Sequence, residues 1–211
     1  MSYLFRFKKS FIISVILLEL VVFTQNCNAQ KFKNLSCPEK WWVIFHPFVA
    51  KKAQRITKEA RLITQQMKKD TILIGTGNAQ QIDAFRHTYW MALLTQEIGW
   101  RKAKKLGLAH EKGNYKDYKK HRNEDGVIPD KISSDMDLYN NTVGIEIGKK
   151  TNQLGFAEQI ILAIKAGKCK IIKMDVSGNY LDCDGNIIAP ETLKGKWENN
   201  KCLTNSDEVN F

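Results

Sequence analysis

Apolar residues recur every three or four positions through most of the chain after residue 36, which is the spacing of one face of an α-helix. Ser36 and Glu39 have the spacing of a capping box and predict the start of a short first helix. Pro47 suits the first position of a second helix. Its apolar stripe comprises Val49, Ala53, Ile56, Ala60, Ile63 and Met67. Four further helices are predicted, over residues 80–98, 100–111, 133–151 and 156–166.

The segment over residues 80–98 is apolar on nearly all of its sides, which is typical of a helix at the centre of a fold. It also carries Asp83, Arg86 and His87. Buried polar groups require partners, because leaving them unpaired away from water is costly. Asp83 and His87 are four residues apart and therefore lie on the same face of the helix.

The spacing of apolar residues changes after Lys170, where short apolar runs alternate with two turn signals. Ser177-Gly178-Asn179 is the first and Asp184-Gly185-Asn186 is the second, and together they predict a small β-hairpin or meander. The predicted fold class is therefore mainly α. A bundle of five or six helices spans residues 36–167, and a disulfide-linked β appendage spans residues 168–211.

Four cysteines follow the first thirty residues, and an even number of cysteines in an exported chain predicts two disulfides. Their spacing contains no Cys-x-x-Cys pair, which argues against a zinc site. Four cysteines allow three connectivities. We favour Cys183 with Cys202, which leaves Cys37 with Cys169.

Residues 1–29 have the pattern of a secretory signal peptide. Basic residues precede an apolar run over residues 11–23, which is shorter than the roughly 20 residues that span a bilayer. Cys27 and Ala29 are small residues at the positions that signal peptidase reads, so cleavage is expected after Ala29. The protein is predicted to be exported to the periplasm or beyond the cell, with no transmembrane anchor in its mature chain.

The formal net charge of +11 suits an anionic substrate or surface. The basic runs are short and do not alternate with aromatic residues, so no specific nucleic-acid motif is present. The alternative is that the lysines only keep the helix surfaces solvated.

Three helical segments carry polar residues that are hard to explain as ordinary solvent-exposed side chains. The candidate catalytic residues are Arg86, His87, His110, Glu111, Asp137 and Asn141. Gly144 and Gly148 continue the face of Asp137 and Asn141, and small residues allow a neighbouring helix to approach closely. We therefore expect two helices to cross there, with His87 beside Asp137 or Asn141.

Two chemistries fit these residues. In the first, a divalent metal is bound by Asp83, His87, His110 and Asp137 and activates water. In the second, His87 or His110 acts as a general base, and Arg86 binds an anionic group. A polar network that only fixes helix packing is a third possibility.

The motifs themselves resemble a known domain family. They comprise the residues from Asp83 to Trp90, Ala109-His110-Glu111, and the residues from Met136 to Asn141 followed by Gly144. The similarity is to an uncharacterised bacterial family that occurs in exported proteins and at the C-terminal ends of large, secreted, toxin-like chains. This resemblance implies a helical domain and identifies motif residues, but it implies no particular reaction.

The order of His87, His110-Glu111 and Asp137 resembles that of helical metal-dependent phosphohydrolases, with Glu in place of Asp in the doublet. We therefore expect a hydrolase-like domain that acts on an anionic substrate, a phosphodiester or a phospholipid. The alternative is a non-catalytic secreted binding module. His46 and His121 are expected to lie outside the site.

Overall fold

The computed structural model describes residues 32, 34–75, 77–122, 128–150 and 155–209. The chain divides into two units, Met1–Leu35 and Ser36–Phe211. In the first unit, the backbone N–H of Leu35 donates to the carbonyl of Phe32. The predicted signal peptide, residues 1–29, lies outside the described residues. No described helix is both long enough and apolar enough to cross a membrane.

The described part of the second unit contains seven helices and two short strands. In chain order they are α1 (Cys37–Phe45), α2 (Pro47–Met67), α3 (Gln81–Ile98), α4 (Trp100–Lys119), α5 (Lys131–Gly148), α6 (Phe156–Lys165), β1 (Lys170–Ile172), α7 (Pro190–Leu193) and β2 (Leu203–Asn205).

The start of α1 follows the predicted capping box. Glu39 N–H donates to the Ser36 hydroxyl, and the Glu39 carboxylate accepts from Ser36 N–H at 2.8 Å. Pro47 is the first residue of α2, as predicted. Both starts are confirmed because each depends on local hydrogen bonding that a short sequence motif encodes.

Two predicted helix boundaries are wrong. Helix α4 continues to Lys119 instead of ending at Glu111, since its buried face runs on through Gly113 and Asn114. Helix α5 begins earlier than residue 133, because the Asp130 carboxylate accepts from the backbone N–H of Ser133 and caps the helix.

Helix α3 lies at the centre of the bundle, as its apolar pattern predicted. Thirteen of its 18 residues are buried, so it contributes to cores on more than one side. One core includes Trp90, Met91 and Leu94, and another includes Ile82 and Phe85. The polar residues of α3 are therefore held among packed side chains.

The two strands form an antiparallel pair in which Ile171 lies opposite Thr204. The turns between them close on aspartate side chains: Asp175 accepts from the backbone N–H of Asn179, and Asp182 accepts from that of Asn186. The mainly helical fold class with a small disulfide-linked sheet is confirmed. The predicted meander is present as two single antiparallel bridges, Met174 with Tyr180 and Leu181 with Ile187, and β1 pairs in addition with β2 from the end of the chain.

Of the two predicted disulfides, Cys183–Cys202 is present and Cys37–Cys169 is wrong. Cys169 is buried in the core, with its Sγ 3.6 Å from the Thr88 hydroxyl. Cys37 is an exposed residue at the start of α1. The counting argument failed because an even number of cysteines does not require that each has a partner within reach.

We expect the two thiols to differ sharply in reactivity. Burial raises the pKa of Cys169 to about 11, although its contact with Thr88 acts in the opposite direction, and the thiolate is the reactive form. Brief alkylation of native protein at pH 8 should therefore label Cys37 and leave Cys169 unmodified, as read by peptide mass mapping. Unfolding in urea should expose both, and rapid labelling of Cys169 in the native protein would contradict the burial of its thiol.

Candidate functional site

The site lies where α3 crosses α5. A Cβ on Gly144 would collide with the backbone oxygen of Thr88, and one on Gly148 would collide with that of Ala92. The two glycines therefore let the helix backbones touch, as the sequence predicted. Asn141 lies one turn before Gly144 and Asp137 lies two turns before it, so the same contact presses both against α3.

His87 is at the centre of the polar cluster that this crossing creates. Its Nε2 lies 3.2 Å from Asp137 Oδ1 and 3.6 Å from Asp83 Oδ1. All three side chains are buried. The expected juxtaposition of His87 and Asp137 is confirmed, and Asp83 joins them from the same helix.

Arg86 supplies positive charge to the cluster. Its Nη2 donates to Asp83 Oδ1 at 2.7 Å and lies 3.1 Å from His87 Nε2. The other oxygen of Asp83 accepts from the backbone N–H of Ala79 at 2.7 Å. Asp83 is thus fixed on both sides, and it orients the guanidinium.

Burial lowers the pKa of His87 well below its ordinary value of 6.5, and the charges of Arg86 and His110 lower it further. Asn141 alone acts in the opposite direction. His87 is consequently neutral at pH 7. Its Nε2 lies between a donor, Arg86, and an acceptor, Asp137, so it either accepts from the guanidinium or donates to the carboxylate.

His110 adjoins the cluster from α4. Its ring centroid is 6.5 Å from that of His87, and its ring packs edge-on against Trp90. Its Nδ1 lies 3.1 Å from the Glu39 carboxylate on α1. Burial acts to raise the pKa of Glu39, but hydrogen bonds and the charge of His110 outweigh it, and the net pKa is lowered.

Glu111 is buried one residue further along α4, where its carboxylate accepts from the Asn114 amide at 3.1 Å. Three side chains present converging ligand atoms within 4.8 Å of one another, namely Asp83, His87 and Asp137. The predicted fourth metal ligand, His110, is not in this group. His46, as expected, lies elsewhere and contacts the Trp42 carbonyl through Nδ1.

A cavity of about 50 Å³ opens beside the cluster, with room for a few water molecules. Its lining includes Asp83, Arg86, Asn114, Ser134, Asp137 and Tyr180. His87 lies behind Asp137 and is not part of the lining. Of the catalytic candidates, Asp137 and Arg86 therefore line the cavity, and His87 contacts Asp137 without lining it.

Sequence reasoning missed three residues of this region. Asn114 follows Glu111 by three positions, and this spacing would have identified it had α4 been extended past residue 111. Glu39 was recognised only as a capping residue. Tyr180 comes from the C-terminal segment, and no local pattern links it to the helices.

The neutrality of His87 predicts a specific loss of stability in acid. Below about pH 6.5, His87 becomes protonated in the unfolded chain but stays neutral in the folded protein. The free energy of unfolding therefore falls by up to about 1.4 kcal/mol per pH unit, until the pH reaches the pKa of His87 in the folded protein. The charged groups that face the ring are Asp83, Asp137, Arg86 and His110. Urea unfolding at pH 7.5, 6.5 and 5.5 should show a flatter profile for His87→Gln than for wild type.

The matched control for this experiment is His121→Gln, since His121 is exposed at the end of α4. It should leave the profile unchanged. Parallel profiles for wild type and His87→Gln would show that His87 is charged in the folded protein.

A family model for a domain of unknown function, DUF6973, matches residues 40–170, which is more than half of the chain. No curated protein matches the chain significantly, and no solved structure does so. The matched range contains every residue of the polar cluster. The C-terminal segment with Tyr180 lies beyond it.

Proposed function

Since the chain belongs to the DUF6973 family, whose function is unknown, we propose an activity from the site itself: a hydrolase-like reaction on an anionic substrate, a phosphodiester or a phospholipid. The observation that carries the proposal is the meeting of Asp137 and Arg86 at one small cavity, with His87 against Asp137. This hydrolysis requires a carboxylate that accepts a proton from water and a guanidinium that binds the anionic group, and both lie at this cavity.

Asp137 is the general base of the proposed reaction. It accepts a proton from a water molecule in the cavity as that water attacks phosphorus. The new P–O bond replaces the bond to the leaving alkoxide, and Asp137 returns the proton to that alkoxide. The carboxylate is regenerated, so the step requires no further reactant.

His87 positions Asp137 and does not touch the substrate. Its Nε2 lies 3.2 Å from Asp137 Oδ1, and the proposed role requires the neutral tautomer that carries its proton on Nε2, directed at this oxygen, with the Arg86 guanidinium donating to Asp83. The lowered pKa of His87 suits this role, because a ring that stays neutral leaves the proton-accepting capacity with the carboxylate. The arrangement differs from the sequence-based hypothesis, in which His87 or His110 was the base.

Arg86 binds the anionic group. It lines the cavity, it is fixed by Asp83, and its side chain retains 21% exposure. A guanidinium held in this way stabilises charge on the equatorial oxygens of a phosphoryl group.

A divalent metal is the competing way to use the same residues. Asp83, His87 and Asp137 could each provide one ligand, and the metal would then activate water. Arg86 opposes this use, because its Nη2 already lies 2.7 Å from Asp83 and 3.1 Å from His87. A metal would have to displace this guanidinium, so no metal enters the proposed steps.

The test is hydrolysis of bis(4-nitrophenyl) phosphate and of phosphatidylglycerol vesicles by the full chain. Asp137→Asn keeps the shape of the side chain and removes the base, and it should lower the rate by about 10²–10⁴-fold. His87→Ala should also lose activity, whereas His87→Gln should regain part of it by donating to Asp137. The control is His121→Ala.

Other outcomes would overturn the proposal. Wild-type activity in Asp137→Asn excludes the assigned base. Activity that is abolished by chelation and restored by one metal ion per chain supports the metal-dependent alternative. No hydrolysis, together with a loss of about 2–4 kcal/mol of stability in His87→Ala, supports a binding module whose cluster is structural.

A further inference from the structure

Four large apolar side chains are exposed at the junction of α1 and α2. This aromatic patch consists of Trp41, Ile44, Phe45 and Phe48. Phe45 is 71% exposed and Phe48 is 91% exposed, and the other two are more than half exposed. The rings of Trp41 and Phe45 stack with their centroids 5.8 Å apart. Such a concentration within eight residues marks an interaction surface.

The opposite face of α1 fixes this orientation. Trp42 is buried, and its Nε1 donates to the Lys102 carbonyl on α4 at 3.1 Å. One turn earlier, Glu39 contacts His110. Because α1 is anchored through these residues, the patch is held outward by the fold.

The charges around the patch are mainly positive. Lys40 directly precedes Trp41, and Lys51 is exposed one turn after Phe48. Glu39, the acidic residue of α1, faces inward to His110. Glu97 on α3 is neutralised by Lys52, 2.9 Å away. The whole chain has a net charge of +11, so an anionic partner complements this end of the molecule.

We propose that the aromatic patch docks the protein on the surface of an anionic phospholipid bilayer. Trp and Phe favour the boundary between headgroups and acyl chains, and lysines beside them pair with anionic headgroups. The docking element is linked to the site through Glu39 and His110. This inference rests on the proposed function in one respect, which is that a phospholipid is the substrate.

The test is cosedimentation of the full chain with two kinds of vesicle, one of phosphatidylcholine alone and one that also contains phosphatidylglycerol. The double variant Phe45→Ser/Phe48→Ser should partition about tenfold less onto anionic vesicles. The matched control is Val176→Ser/Ile187→Ser, which removes two exposed apolar side chains from the C-terminal segment. It should bind as wild type does, and added salt should weaken binding.

Equal vesicle binding by the two double variants would overturn the proposal. So would a wild-type dimer that ignores vesicles and dissociates in Phe45→Ser/Phe48→Ser, because the patch would then bind a second copy of the chain. Asp137→Asn separates this inference from the proposed reaction, since it should bind vesicles fully. If Asp137→Asn loses hydrolysis but still binds vesicles, both proposals are supported. If it hydrolyses as wild type does, the proposed reaction is wrong and the docking proposal is unaffected.

Discussion

Replacing Gly144 with leucine is expected to lower the free energy of unfolding by about 3 kcal/mol. The new side chain would meet the Thr88 carbonyl and the Met91 side chain, and a Cβ alone would lie 2.9 Å from Met91 Cβ. Backbone atoms cannot give way as a flexible side chain does, so α3 and α5 must separate. Urea unfolding measures the loss.

The same substitution should remove activity in the molecules that remain folded, because separation of the helices draws Asp137 away from His87. Gly155→Ala is the matched control, since a Cβ there meets no atom within 4 Å. Gly144→Ala refines the test: alanine favours helices by about 1 kcal/mol over glycine, yet we expect a net loss. Unchanged stability in Gly144→Leu would mean that the two helices do not touch.

Much of the fold could be predicted because its signals are local. The capping box at Ser36, the apolar stripe of α2 and the nearly all-round apolar pattern of α3 each identify an element without knowledge of its neighbours. The end of α4 could not be found in this way. Its last two turns are polar by composition and become helical because Asn114 is buried and Tyr115 and Tyr118 contact Trp197, which is 82 residues beyond Tyr115.

The centre of the site could be predicted for a similar reason. Spacing of four places Asp83 with His87, and Gly144 signals the close approach that brings Asp137 to them. The roles could not be predicted, because they depend on which side chain faces the cavity. Only the structure places Asp137 at the cavity and His87 behind it, and only the structure pairs Glu39 with His110.

The buried ion pair between Lys201 and Asp130 is a long-range contact with no signal in the sequence. Lys201 Nζ lies 2.6 Å from Asp130 Oδ2, and both side chains are less than 10% exposed. The ammonium group also lies 3.8 Å from the centre of the Tyr180 ring. Asp130 caps α5 through its other oxygen, so the pair fastens the C-terminal segment to the helix that carries Asp137.

Lys201→Met should therefore cost about 3–5 kcal/mol, because it leaves the Asp130 carboxylate buried without its cation. Adding Asp130→Asn to this variant should recover part of the loss, since asparagine can still cap α5 without a charge. Lys131→Met, which breaks the exposed pair with Asp135, is the control and should change stability little. Urea unfolding of wild type, Lys201→Met, Asp130→Asn and the double variant gives the coupling between the two residues. Strictly additive losses would mean that solvent already screens Lys201, and that the C-terminal segment is not fastened to α5 by this pair.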